Sequence, residues 1–538
     1  MYMIQFVKRI LPGLILLGGV FNSARLFAQQ ADSTWVDFEY VRNANAWLSS
    51  GSVTGLNKLP VDKISRAAIS FNKSNGSFIN YFQSNNSLTL GAATESYYRL
   101  NPKVVLMGKV LYENFNGKNM GGSAMIDPYK NPIDIDENAD TTQGKKKQER
   151  YNLQGAVSAK VSNRLTLGAG IDYTAANYVK TKDLRHINKL TDIHITGGAS
   201  YALTRAIEIG AEYAYTRRIE SVGFAVYGNT DRQYISLINF GSFFGLAELF
   251  TDNGYTSETR PLVNNTHTGT LQLGITLKPG VQFINRFSYG VRKGYYGNRG
   301  TSSIVFTEHN ADEYNYEGVL SVKKRNALHN FSVKAGLVSL ENMENVYRLE
   351  TSTGGNRVIV YYGQNESMTQ DITSASFEYT GYLGIQNNNP TWTIKAGAAY
   401  YSRQQTVNRY PYYRKQDINS YGAYLSAGRN IIKGKNMYTL ALRAGYGAGS
   451  GTAKNDGTYA TPSSGQIKPA SRDIYLYREY EYFTKPRMEI GPQMQYSYFV
   501  NKGVTAFLKL NYQYTKASDV SFTGTDLKTF NVSVGCNF

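Results

Sequence analysis

The chain of 538 residues has one cysteine, Cys536, which excludes an intramolecular disulfide and any cysteine-rich metal site. Histidine is scarce as well. The five residues, His186, His194, His267, His309 and His329, lack ligand spacing; a metal pair at His186 and His194 stands against the plainer reading of solvated loop histidines. Nowhere does an apolar run reach the roughly 18 residues that a membrane helix needs, so helical membrane spanning is excluded. Serines and acids are numerous, but no motif distinguishes a Ser, His and acid assembly, so the chain is read as not an enzyme and as needing no cofactor.

Aromatic residues and glycine are plentiful instead, with 44 Tyr, 24 Phe and 51 Gly against 18% charged residues. The mean hydropathy is negative, yet it conceals a rhythm of two. In Leu165, Leu167, Ala169, Ile171 and Tyr173 the apolar positions alternate with Thr166, Gly168, Gly170, Asp172 and Thr174. The pattern recurs from Ile207 to Thr216, Leu271 to Lys278, Trp392 to Tyr400 and Val504 to Thr515. In the last segment Phe530, Val532, Val534, Cys536 and Phe538 oppose Thr529, Asn531, Ser533, Gly535 and Asn537. Period-two runs of about 9–11 residues suit tilted membrane strands, and a terminal aromatic suits the last strand of an outer-membrane barrel.

Lys8 and Arg9 precede an apolar run of about 12 residues, too short to span, and Leu26-Phe27-Ala28 follows; this layout predicts a secretory signal peptide over 1–28, cleaved near Ala28. Residues 29–64, with Trp35, Phe38, Tyr40, Trp47 and Leu48, either hang in the periplasm or fold into the barrel as a plug. From about residue 65 to 538 short Asn-, Pro-, Gly- or Lys-rich turns alternate with long connections, roughly 114–150, 176–191, 218–266, 298–312, 341–370, 405–416, 450–485 and 517–527. The expected fold is all-β: a transmembrane antiparallel up-and-down barrel of about 18 strands (16 to 20), with short periplasmic turns and long extracellular loops. Tyrosines near strand ends, among them Tyr97, Tyr98, Tyr213, Tyr215, Tyr295, Tyr296, Tyr400, Tyr401, Tyr512 and Tyr514, are expected to form an interfacial girdle.

The formal net charge is +18, three of its cations (Lys8, Arg9 and Arg25) lying in the leader. Export excludes nucleic acid and directs this charge to lipid phosphates or anionic solutes. Ten charges have a parity that points inward: Asp172, Glu208, Glu212, Arg286, Arg292, Lys334, Lys395, Arg443, Glu489 and Lys509. An Arg or Lys on the lipid face at mid-membrane costs about 2–4 kcal/mol, so the lumen is where they belong. They either pair across the bore and stiffen it or line a charge-selective pore. In the first long connection Asp134, Asp136, Glu137 and Asp140 stand near Lys145, Lys146 and Lys147. Without the ligand spacing of a calcium loop they read as a solvated charged loop.

Glu95 to Leu100, Gly108 to Asn114, and above all Phe115 to Pro128 with Pro132-Ile133-Asp134-Ile135, resemble an uncharacterised, domain-of-unknown-function family of outer-membrane β-barrels of Bacteroidota. The resemblance implies fold and a Gram-negative outer-membrane location, and carries no activity. Asn43 to Leu48 followed by Val53-Thr54-Gly55-Leu56 is similar to the N-terminal Asn-x-Ala-Gly-Leu element of fatty-acid-transporter-like barrels, with Thr54 where that element has Ala. Expected partners are outer-membrane lipid, the barrel assembly machinery acting on the C-terminal strand, and a TonB-dependent receptor or surface lipoprotein. The functional expectation is porin-like solute passage or an accessory role in a surface uptake complex. Its alternatives are a plugged scaffold docking a lipoprotein through its loops, or a hydrophobic-solute channel. A bore this wide stays aqueous unless residues 31–64 or loops 218–266 and 450–485 fill it.

Overall fold

The computed structural model describes residues 36–137, 142–228, 231–250, 254–300, 303–351, 354–355, 357–501 and 503–538; the expected signal peptide, Trp35 and Asp140 lie outside them. Eighteen strands form one closed antiparallel sheet. In chain order they are β1 (Lys63–Gly76), β2 (Asn86–Asn101), β3 (Val104–Met120), β5 (Gly144–Lys160), β6 (Leu165–Lys180), β7 (Arg185–Ala202), β8 (Ile207–Ala225), β11 (Arg260–Lys278) and β12 (Val281–Gly297). The circuit continues through β13 (Val305–Lys324), β14 (Ala327–Thr351), β15 (Arg357–Leu383), β16 (Trp392–Arg409), β17 (Tyr412–Lys433), β18 (Asn436–Thr458), β20 (Arg487–Asn501), β21 (Val504–Ala517) and β22 (Asp526–Asn537). The other four, β4 (Asp134–Glu137), β9 (Ile235–Asn239), β10 (Phe244–Leu249) and β19 (Ala470–Ser471), make a small separate sheet in the order β19-β10-β9-β4.

Closure falls between the first and last strands, from Arg66 opposite Asn537 to Gly76 opposite Leu527. Phe538 clasps the seam: its N–H donates to the Ser65 carbonyl at 2.9 Å and its carbonyl accepts from the Ser65 N–H at 2.8 Å. The closed sheet therefore has no open seam in the belt that meets lipid, the condition for a β-structure to stand there. The outer wall is apolar: Ile171, Ile195, Ile209, Leu271, Leu425, Leu440 and Val534 are all exposed there. The chain is therefore an outer-membrane β-barrel of eighteen strands, as its two-residue rhythm predicts.

Three details depart from the sequence reading. Stretches expected as the long loops 176–191, 341–370 and 405–416 are mostly strand, since β14 and β15 run to 25 and 27 residues and β16 and β17 meet at residues 410–411. Above the lipid a paired ribbon needs no apolar face, so the signature of a strand fades there while its ladder continues. The first hairpin turn spans residues 77–85: Lys73-Ser74-Asn75-Gly76, which reads as a turn in the sequence, is the end of β1, whereas Ser84 and Asn85 lie in the turn. Finally, neighbouring tyrosines divide between the two faces, as successive strand residues must: Tyr98 and Tyr400 are exposed, whereas Tyr97 and Tyr296 are buried inside.

Candidate functional site: a chamber between two internal closures

The bore is occupied from below by the N-terminal segment. Two short helices, α1 (Phe38–Asn43) and α2 (Ala46–Ser49), are capped by Asp37 and Asn45, whose side chains accept from the N–H groups of Tyr40 and Trp47 at 2.9 Å each. Helices this short do not stand alone in water. Packing holds them: Phe38, Tyr40, Val41, Leu48, Leu56 and Leu59 are buried against Ile64, Tyr97, Val105, Leu328 and Tyr382 of the wall. Full burial of such side chains contributes about 1.5–3 kcal/mol each.

Polar anchors set the height of this segment. Glu212 accepts from the Ser52 hydroxyl at 2.7 Å and the Val53 N–H at 2.9 Å, and pairs with Arg286 at 2.8 Å. Lys58 pairs with Glu208 at 2.8 Å. Two inward glycines make room for it. A Cβ at Gly168 would meet the Val53 carbonyl carbon at 2.7 Å, and one at Gly274 would meet the Trp47 ring at 2.7 Å.

From above, the loops fold into the barrel. Loop 218–266, rich in aromatics, packs inward: Phe240, Phe243 and Phe244 are at most 2% exposed. Phe240 and Phe244 join Ala124, Met125, Ile133 and Ile135 from the stretch that carries the family resemblance, and Phe243 packs with Tyr81, Leu237, Tyr475 and Leu476. Asp134, Asp136 and Glu137 do not form the expected solvated loop; they lie buried in β4, each at most 5% exposed. Ser123 and Tyr81 donate to Asp134 at 2.7 and 3.1 Å, and Asn239 donates to Asp136 at 2.8 Å. Burial first, and then the neighbouring Asp134, hold the Asp136 carboxyl well above the usual carboxylate range. Glu137 binds Lys146 at 3.0 Å and also Lys180.

Arg414, 1% exposed, ties the inner sheet to the wall, donating to the carbonyls of Ser242 and Phe243, to the Ser471 hydroxyl, and to Asp456. A helix the sequence reading did not foresee, α3 (Asp473–Thr484), completes this closure. Its Glu479 receives Arg403 at 2.7 Å, and its Glu481 accepts three backbone N–H groups of residues 521–523 at 2.7–2.8 Å.

Between the two closures lies a polar cavity of about 570 Å³. Asn43 and Ser49 of the N-terminal segment border it, with Glu317, Lys334, Glu378, Lys395, Tyr401, Tyr424, Arg443, Arg487 and Glu489 from the wall. A second space of about 490 Å³ shares Glu317, Lys334 and Ser376 with it. A third, about 520 Å³, lies on the periplasmic side between Trp47, Lys58 and the turns near Arg164 and Arg205.

The ten inward charges named from parity divide among these regions. Glu208, Glu212 and Arg286 hold the N-terminal segment, and Arg286 continues through Glu317 at 3.5 Å to Lys334 at 3.0 Å. Lys395, Arg443 and Glu489 face the chamber. Asp172 accepts from Gln154 at 2.8 Å, and Arg292 pairs with Glu313 at 3.0 Å and donates to the Lys130 carbonyl. Lys509 lies near Arg66, Glu39 and Lys395. The histidines are not uniformly solvated: His186 and His309 are 1% exposed, bonded to Asn188 and Asn264. Among the described residues no group of His, Cys, Asp and Glu has the arrangement of a metal site.

A family model described as a family of unknown function (DUF6850) matches residues 53–538. No curated protein matches the chain. Among solved structures, the ferric preacinetobactin receptor BauA of Acinetobacter baumannii is similar at TM-score 0.40 and 9% identity, over 88% of this chain and 79% of that one. The outer membrane transporter YddB of Escherichia coli is similar at TM-score 0.40 and 7% identity, over 88% and 81%. A mutant of the monoaromatic hydrocarbon channel TodX is similar at TM-score 0.31 and 10% identity, over 91% and 93%.

Proposed function

The chain belongs to DUF6850, and since that family brings no activity with it, we propose from the geometry that this barrel is a non-catalytic, gated passage for small polar solutes across the outer membrane. The observation that carries the reading is a polar, charge-lined chamber held between two closures built from the chain itself. The lower closure is the natural moving part. It is a short strand-free segment, seated by apolar packing and fixed in height by a few polar anchors, whereas the upper one is a sheet and helix knitted to the wall. The chamber's lining is polar, which favours a polar cargo over a fatty one.

Planar-bilayer recording of the full chain tests this. The parent protein is expected to stay closed or open rarely. Glu212→Ala removes the acceptor shared by Ser52, Val53 and Arg286; a hydrogen bond to a charged group contributes about 1.5–3 kcal/mol, so openings should become at least about tenfold more frequent. If Glu212→Ala and the double variant with Glu208→Ala both remain silent, gated passage is wrong and a plugged scaffold that docks a surface partner takes its place.

A further inference from the structure

The lumen charges fall into two populations. Those touching the N-terminal segment are neutralised, through Lys58 with Glu208 and through Glu212, Arg286, Glu317 and Lys334 in series. The chamber is bordered by the Glu317 and Lys334 end of that series, and its other charges stand outside any such pairing. Lys395, Arg443 and Arg487 form no ion pair among the described residues, and neither do Glu378 and Glu489.

The two signs differ in how far their hydrogen-bonding capacity is met. Glu378 accepts from the Tyr424 and Thr380 hydroxyls, and Glu489 from the Gln513 amide. Arg487 is turned toward the Tyr482 and Phe483 carbonyls at 3.5 and 3.3 Å. Arg443 instead lies over the Tyr424 ring, its guanidinium carbon 3.6 Å from the ring centre, and is exposed to the chamber. A guanidinium held in this way is oriented by the tyrosine, and with no carboxylate partner it keeps N–H groups to offer an oxyanion. The ammonium of Lys395 lines the same cavity with no carboxylate within 4 Å.

Ser426 separates Lys395 and Arg443 across the sheet, and the wall beside them is bare at two positions. A Cβ at Gly422 or Gly445 would meet nothing nearer than 3.4 Å, unlike those at Gly168 and Gly274, where the N-terminal segment presses on the wall. Nothing of the chain itself requires these two positions to be glycine for space, and the volume they leave lies in the range of small-molecule sites.

We infer that the chamber is a binding site for a small organic oxyanion, a carboxylate- or phosphate-bearing solute, held by Arg443 and Lys395 beside the open wall at Gly422 and Gly445. This deepens the gated-passage reading, on which its transport meaning rests; binding itself is measured apart from conduction. Equilibrium dialysis of the detergent-solubilised full chain against glucuronate, glucose 6-phosphate and glucose tests it.

At least one anion is expected to bind at least about tenfold more tightly than glucose. Binding of glucuronate alone names a carboxylate ligand, and of glucose 6-phosphate alone a phosphate. Arg443→Gln and Lys395→Gln should each weaken binding about tenfold, and Gly445→Leu should block it, in protein whose heat-modifiable gel mobility shows a folded barrel. The inference is overturned if glucose binds as well as the anions, if the Arg443→Gln, Lys395→Gln double variant binds them unchanged, or if no probe binds below about 10 mM. Binding by a barrel that stays silent as Glu212→Ala keeps the site and removes the passage; openings without anion binding do the reverse.

Discussion

Asp136 shows how a residue's chemistry follows from where the fold puts it. In sequence it is one acid of a charged loop; in the structure it is wholly buried beside Asp134, with Asn239 as its donor. Burial raises its proton affinity, so its contribution to the upper closure is fully present below the ordinary carboxylate range and is lost as pH rises through the raised value. Protection from amide exchange over residues 122–137 and 235–239, taken relative to the intrinsic base-catalysed rate, is therefore expected to fall as pH is raised, and Asp136→Asn to retain it. Identical profiles for the two proteins would refute this. Parity revealed that charges such as Glu212 and Arg443 point inward, because a strand offers only two faces. Which partner each would meet was not written locally, since Glu212 finds Ser52 and Arg286 from distant parts of the chain.

At the scale of elements, the N-terminal segment and the long strands make complementary points. The segment's helices of six and four residues have caps but little helical stability of their own. Their conformation is held by the wall, and the wall has a socket for them. Gly274→Leu places side-chain atoms where the Trp47 ring sits, so the segment should leave its seat while the barrel, whose ladder is untouched, stays folded. Limited proteolysis should then cut within residues 36–62 with heat-modifiable mobility unchanged; a protected segment would count against the socket. The strands err in the opposite direction, toward more structure than their pattern shows. In Glu341 to Asn345 both faces are polar or mixed, yet the ladder with β15 runs on through Thr351.

For the whole molecule, the solvent on each side of the wall decides what a substitution costs. Ile171 and Asp172 are neighbours in β6, one exposed outside and the other bonded to Gln154 within. Ile171→Arg puts a charge against hydrocarbon at a cost of about 2–4 kcal/mol. It should lower the urea midpoint of unfolding in lipid vesicles well below that of Asp172→Arg; equal midpoints would contradict the assignment of the faces.

What the sequence alone determined is the wall: an antiparallel barrel of about 18 strands from about residue 65 to Phe538, and which face of its patterned strands meets lipid. These follow from a two-residue alternation, a local property imposed by lipid on one side and polar surroundings on the other. Only the tertiary structure decided what fills the bore. The seating of residues 36–62, the inner sheet and α3, and the chamber they leave all depend on contacts between segments hundreds of residues apart, and such pairings leave no period in the chain.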